Sequence, residues 1–68
     1  MEVFTERLKD LRKEKGLTLE QLEIATGLSR SAISCWEKGT RIPNAKAIIT
    51  LARFFEVTTD YLLGESDF

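Results

Sequence analysis

Residues Thr18 to Arg41 read TLEQLEIATGLSRSAISCWEKGTR, two short helical patterns hinged on a single glycine, Gly27. Thr18 opens the first pattern: its hydroxyl suits the amide three residues on, and Gln21 at that position completes a capping box. Leu19 and Leu22, with Thr26, face inward, and Gly27 supplies the positive φ that a tight turn demands. Ser29 then caps a second helix, predicted over Arg30 to Lys38 and closed by Gly39. Two helices this short bury little by themselves. The rest of the chain must hold them, with the second presented outward.

The flanking sequence supplies that support. Phe4, Leu8 and Leu11 fall at i, i+4, i+7, which predicts a helix from about Phe4 to Lys15, stopped by Gly16. After Pro43, Asn44 is the predicted N-cap of a helix over Ala45 to Phe55, with Ile48, Leu51, Ala52 and Phe55 on its apolar stripe. Thr58 caps a last short helix to Leu63, Asp60 suits its positive end, and Gly64 stops it. No segment alternates with period two, so strands are not expected. The predicted fold is all-α, five short helices packed as one domain over residues 1–68, with the two-helix unit at about 18–38.

Composition narrows the chemistry. A chain of 68 residues has room for one core, and chains this short bury only about 60% of their unfolded surface. With 43% hydrophobic and 31% charged residues, it reads as a globular domain. The longest aliphatic run is Ala47-Ile48-Ile49, far short of a membrane span. Met1 is followed by Glu2 with no basic-then-apolar start, so no secretory signal is expected and cytoplasmic localisation is. There is no histidine and Cys35 is the only cysteine, which rules out a disulfide framework or a Cys/His metal site within one chain. No cofactor is implied. An enzyme is the least favoured class: no nucleophile–base pair and no phosphate-cradling glycine loop are present.

The net charge of −1 hides a polar distribution. From Ser29 to Arg53, Arg30, Lys38, Arg41, Lys46 and Arg53 face only Glu37, a balance of +4. From Phe54 to Phe68 there are only acids, Glu56, Asp60, Glu65 and Asp67, a balance of −4. Salt screens charges beyond about 8–10 Å, so a polyanion responds to the local balance.

On a helical wheel, Ala32, Ile33, Trp36 and Glu37 share the inner side of helix 30–38. The outer side carries Arg30, Ser31, Ser34, Cys35 and Lys38, small groups rich in hydrogen-bonding atoms. Such a face suits a DNA major groove, about 12 Å wide, where arginine pairs bidentately with guanine and serine serves several bases. Helix N-termini with Thr18 and Ser29 suit phosphates. The bland alternative is a solvated helix surface, which the hinge and the local positive charge argue against. Trp36, beside Ile33, reads as core rather than as a ligand platform. Cys35 reads as a polar-face thiol, with a thymine-methyl contact as its functional alternative.

Several motifs now coincide in order: Leu-Arg-Lys-Glu-Lys-Gly-Leu-Thr over residues 11–18, Gly27-Leu28-Ser29, Ile33-Ser34-Cys35-Trp36-Glu37-Lys38-Gly39, Pro43, and Val57 followed by Asp60-Tyr61-Leu62-Leu63-Gly64. With these, nearly the whole chain resembles the lambda-repressor and Cro type of helix-turn-helix domain, the XRE type. The resemblance implies a compact five-helix DNA-binding domain whose helices two and three form the motif. It implies base contacts from Arg30, Ser31 and Cys35, with Ser34 beside them, and phosphate contacts from Thr18, Ser29, Lys38, Thr40 and Arg41. It further implies an Arg12–Glu37 pair tying helix one to the recognition helix; the inward place of Glu37 favours this over a surface carboxylate.

Two positions depart from the family pattern. Leu19 stands where a phosphate-gripping glutamine is frequent, so that clamp is weakened. Glu23 stands where a small residue is usual. Its stem is expected in the crossing of helices two and three, its carboxylate near the start of helix three or at Arg30, in competition with base reading.

A domain this small covers only a few base pairs, so the expected functional unit is a homodimer on a pseudo-palindromic operator, with recognition helices about 34 Å apart. Ile49, Phe54, Tyr61 and Phe68, in the half remote from helix three, are the dimer candidates. The expected function is that of a sequence-specific regulator of transcription, most simply a repressor, encoded by a bacterium or phage and found on the nucleoid when bound. An antitoxin would need a partner-binding segment, and none is visible in these residues. A protein-interaction module on the same fold is disfavoured by Arg30, Lys38 and Arg41 around the polar helix.

Overall fold

Polar caps and left-handed residues divide the chain into its elements. In the computed structural model, which describes residues 1–68, five α-helices follow one another and no strand forms. They are α1 (Glu2–Glu14), α2 (Leu19–Thr26), α3 (Arg30–Lys38), α4 (Ala45–Phe55) and α5 (Thr59–Leu63). The hydroxyls of Thr18, Ser29 and Thr58 and the Asn44 side chain each accept from an amide three residues on, which starts four of the five helices. At Thr18 the reciprocal bond is also made, its N–H donating to Gln21 Oε1 at 2.8 Å. Only α1 lacks a side-chain cap. It starts at Glu2 rather than at the predicted Phe4, with Glu2 in its first turn at the positive end of the helix.

α3 and α4 keep their predicted bounds. The apolar stripe of α4 differs from the expected one at a single position: Leu51, Ala52 and Phe55 are buried, Ala47 joins them, and Ile48 sits half-buried at the edge. The stop of α4 is also unlike the others. Glu56 takes φ +57°, the only non-glycine residue in the left-handed region, and the turn closes through Val57 N–H to Ala52 O at 2.9 Å. A side chain there costs about 1–2 kcal/mol, offset by burial of the Phe55 ring and the packing of Val57 on the core.

The core joins all five helices: Phe4 and Leu8, Leu22, Ile33 and Trp36, the α4 stripe, and Leu62. Leu11, Leu17, Leu19, Leu28 and Ala32 pack against it from the rim. α1 and α2 both pack on α3, while α5 closes the opposite side against α1 and α4. α3 is therefore held along one side only. Trp36 is core, as its wheel position implies, with its indole N–H buried and unpartnered. No helix is long and apolar enough to cross a membrane.

Candidate nucleic-acid interface

The site is the side of α3 that the core leaves uncovered. Ile33, Trp36 and Glu37 are buried, while Arg30, Ser31 and Lys38 are exposed and Ser34 and Cys35 are half-exposed between them. Two fastenings at its far end set the tilt of the helix. Thr5 Oγ1 donates to Trp36 O at 2.8 Å. Arg12 joins α1 to α3 and to the α1–α2 loop: its Nε and Nη2 donate to Glu37 Oε2 and Oε1 at 2.6 and 2.9 Å, and its Nη1 donates to Leu17 O at 2.7 Å. The side chains of Arg12 and Glu37 are only 14% and 8% exposed, so this is an internal bidentate pair. Hydrogen bonding to Glu37 raises the Arg12 pKa above the ordinary arginine value, against the lowering effect of burial.

At the near end, Gly27 makes the turn with φ +79°, a conformation few side chains tolerate. Ser29 Oγ accepts from Ala32 N–H at 3.1 Å and Thr18 Oγ1 from Gln21 N–H at 3.1 Å, which leaves each hydroxyl proton free to donate outward. Lys38 and Arg41 are exposed, and neither is among the residues in ion pairs. Thr40 is engaged within the protein: its N–H and its exposed hydroxyl both donate to Cys35 O, at 3.0 and 3.2 Å, and close α3.

Arg30 is engaged as the departure at position 23 suggests. Its Nε donates to Glu23 Oε1 at 2.9 Å, and its Nη2 lies 3.3 Å from Glu20 Oε2. The contact to Glu20 was not foreseen, although Glu20 and Glu23 stand at i, i+3 on one face of α2. Arg7 was also missed. It donates through Nη1 to the carbonyls of Tyr61 and Ser66 and lies 4.1 Å over the Tyr61 ring, which ties the acidic C-terminal residues to α1.

Of the four dimer candidates, Ile49 and Phe68 are exposed. Phe54 and Tyr61 are half-buried: Phe54 packs edge-on against Phe55 at 5.0 Å, and Tyr61 lies under Arg7. The one surface hollow lies where α1 begins and α3 ends, lined by Met1, Glu2, Thr5, Glu6, Lys38 and Gly39. No cluster of three or more metal-ligating side chains forms.

Residues 5–66 match the family model described as a helix-turn-helix domain. The chain belongs to the helix-turn-helix domain family. Its relatives include the HTH-type transcriptional activator BcrR of Enterococcus faecalis, 47% identical over 61 residues, which cover 90% of this chain and 30% of BcrR. The uncharacterized HTH-type transcriptional regulator YqaE of Bacillus subtilis is 39% identical over 66 residues, 96% of this chain and 57% of YqaE. The chain thus spans about a third to just over half the length of these helix-turn-helix regulators. Among solved structures, the restriction-modification controller protein C.AhdI from Aeromonas hydrophila superposes with a TM-score of 0.79 at 36% identity, covering 87% of this chain and 89% of that one. The XRE-type resemblance and the all-α five-helix fold are borne out by these matches and by the structure.

Proposed function

We propose that residues 1–68 act as one DNA-binding domain, with its motif at about 18–38, in a regulator that reads double-stranded DNA through α3 in the major groove. The observation that carries this reading is the half-bare α3: polar, free of acidic side chains on its outer face, and flanked by unpaired Lys38 and Arg41. Arg30, Ser31, Ser34 and Cys35 contact base edges. Thr18, Ser29, Lys38 and Arg41 meet phosphates, and Thr40 joins them only by releasing Cys35 O. The acidic C-terminal residues are anchored on α1 by Arg7, which keeps them from competing.

Size supports the dimer. The backbone extends 28 × 23 × 20 Å, less than the roughly 34 Å between successive major-groove faces. One copy reads one half-site, and two copies related by a two-fold axis read a pseudo-palindrome. Ile49 and Phe68 supply the exposed apolar surface for that contact, with Phe54 and Tyr61 at its rim. Repression by promoter occlusion requires no further surface, and it is the mode proposed here although BcrR is named an activator. The protein then acts in the cytoplasm of a bacterium or phage-infected cell, on the nucleoid.

Selection of bound sites from a random duplex library, followed by a salt titration on the winner, tests this reading. A two-fold symmetric site is expected, with affinity falling at a log–log slope near −0.9 per phosphate neutralised. No enrichment, or binding insensitive to salt, would refute it.

A further inference from the structure

Arg30 has five N–H donors, and one of them makes a hydrogen bond within the protein: Nε donates to Glu23 Oε1. Nη2 lies 3.3 Å from Glu20 Oε2 as an ion pair. The Nη1–Nη2 edge is a bidentate fork that makes no hydrogen bond to the protein. The Arg30 side chain is 55% exposed at the first residue of α3, where a groove-bound helix meets base edges.

We infer that Glu23, with Glu20 beside it, is a positioning residue for base recognition, holding Arg30 by its Nε so that its Nη1–Nη2 edge reads guanine. The inference rests on the DNA-reading function proposed above. Three physical points carry it. First, two parallel donors match two adjacent acceptors, and in the major groove only guanine offers that pair, N7 and O6. Second, the two carboxylates offset the Arg30 charge, so the group has little net attraction for a phosphate, while its directed N–H pair still matches a neutral acceptor pair. A backbone-gripping arginine would be poorly placed there. Third, a free arginine loses much rotamer freedom on binding, and one already held at Nε loses less. The competition between Glu23 and DNA is thus for one edge of Arg30, not for the whole group.

The test compares wild type with Glu23→Ala, Glu20→Ala, Arg30→Ala and Glu23→Ala/Arg30→Ala on the selected site. The four base pairs are substituted in turn at the position whose preference Arg30→Ala abolishes. Wild type is expected to discriminate for guanine by roughly 5- to 150-fold. Glu23→Ala is expected to cut that ratio by about 2- to 12-fold, the range for reordering one long side chain. In the Arg30→Ala background, Glu23→Ala should leave the ratio unchanged. In the free protein, the Arg30 Nε–H NMR signal should exchange with solvent faster in Glu23→Ala than in wild type, with circular dichroism confirming the fold. A guanine preference that rises or stays level in Glu23→Ala overturns the inference, as does an Arg30→Ala variant that weakens all duplexes equally. Either result leaves the regulator reading standing, whereas a wild type that selects no duplex removes both.

Discussion

Each end of α3 takes part in an arginine–carboxylate contact, Glu37 with Arg12 of α1 and Arg30 with Glu23 of α2, and the surroundings give the two contacts different work. At the C-terminal end, Arg12 and Glu37 are enclosed, bidentate and backed by the Leu17 carbonyl. At the N-terminal end, Arg30 meets Glu23 and Glu20 with side chains 55%, 31% and 61% exposed. An enclosed pair is costly to break, because the surviving charge is stranded away from water. An open pair contributes little to stability but still orders a side chain. One end of α3 is fastened and the other is presented. Burial rather than residue type makes the difference.

Breaking the enclosed pair should have the largest effect. Glu37→Ala is expected to lower stability by about 3–5 kcal/mol, read as a fall in Tm of roughly 10 °C or more. Arg12→Ala/Glu37→Ala should recover part of that loss, since no lone charge then remains. The raised pKa of Arg12 gives the pH sign. Its contribution is complete below the unfolded arginine value and is lost only as pH climbs through the higher folded one, in strong alkali. Titration from neutral to mildly alkaline pH should therefore not weaken this fastening.

The next largest effects separate the packed side from the open side through two glycines. At Gly64 (φ +85°) an added Cβ would lie 2.8 Å from Val3 Cβ and Cγ1, whereas at Gly27 (φ +79°) it would meet nothing within 4 Å. Gly64→Ala combines left-handed strain with overpacking, about 2–4 kcal/mol. Gly27→Ala carries the strain alone, about 1–2 kcal/mol. Denaturant unfolding of both variants checks the order. On the presented end, Glu23→Ala should change stability by less than about 1 kcal/mol while altering base preference. Smallest of all in stability is Lys38→Ala, expected to leave Tm unchanged and to flatten the salt slope of DNA binding by about 0.9.

The same contrast explains what could be read from residue order. The α3 and α4 boundaries were legible because Ser29, Gly39 and Asn44 are local signals acting within one turn. The Arg12–Glu37 pair was reachable through the family resemblance and the inward wheel position of Glu37. The contact of Glu23 with Arg30 was reachable because a long acid stands where a small residue is usual. The end of α4 was only partly legible, since Glu56 adopts a glycine-like conformation under the pull of Phe55 and Val57. Arg7 on Tyr61 and Ser66 joins residues more than fifty positions apart, and no local pattern marks it. Thr40 looked like a phosphate contact because its type and place allow one; the left-handed turn at Gly39 also brings its N–H and hydroxyl to Cys35 O, and residue type alone does not say which partner the hydroxyl takes.

Intermolecular NOEs between the protein and its selected duplex test the presented face of α3 most directly. Contacts from the side-chain protons of Ser31, Ser34 and Cys35 to major-groove base protons are the expected result. A bound complex in which those protons touch no base, while another face of the molecule does, would contradict it.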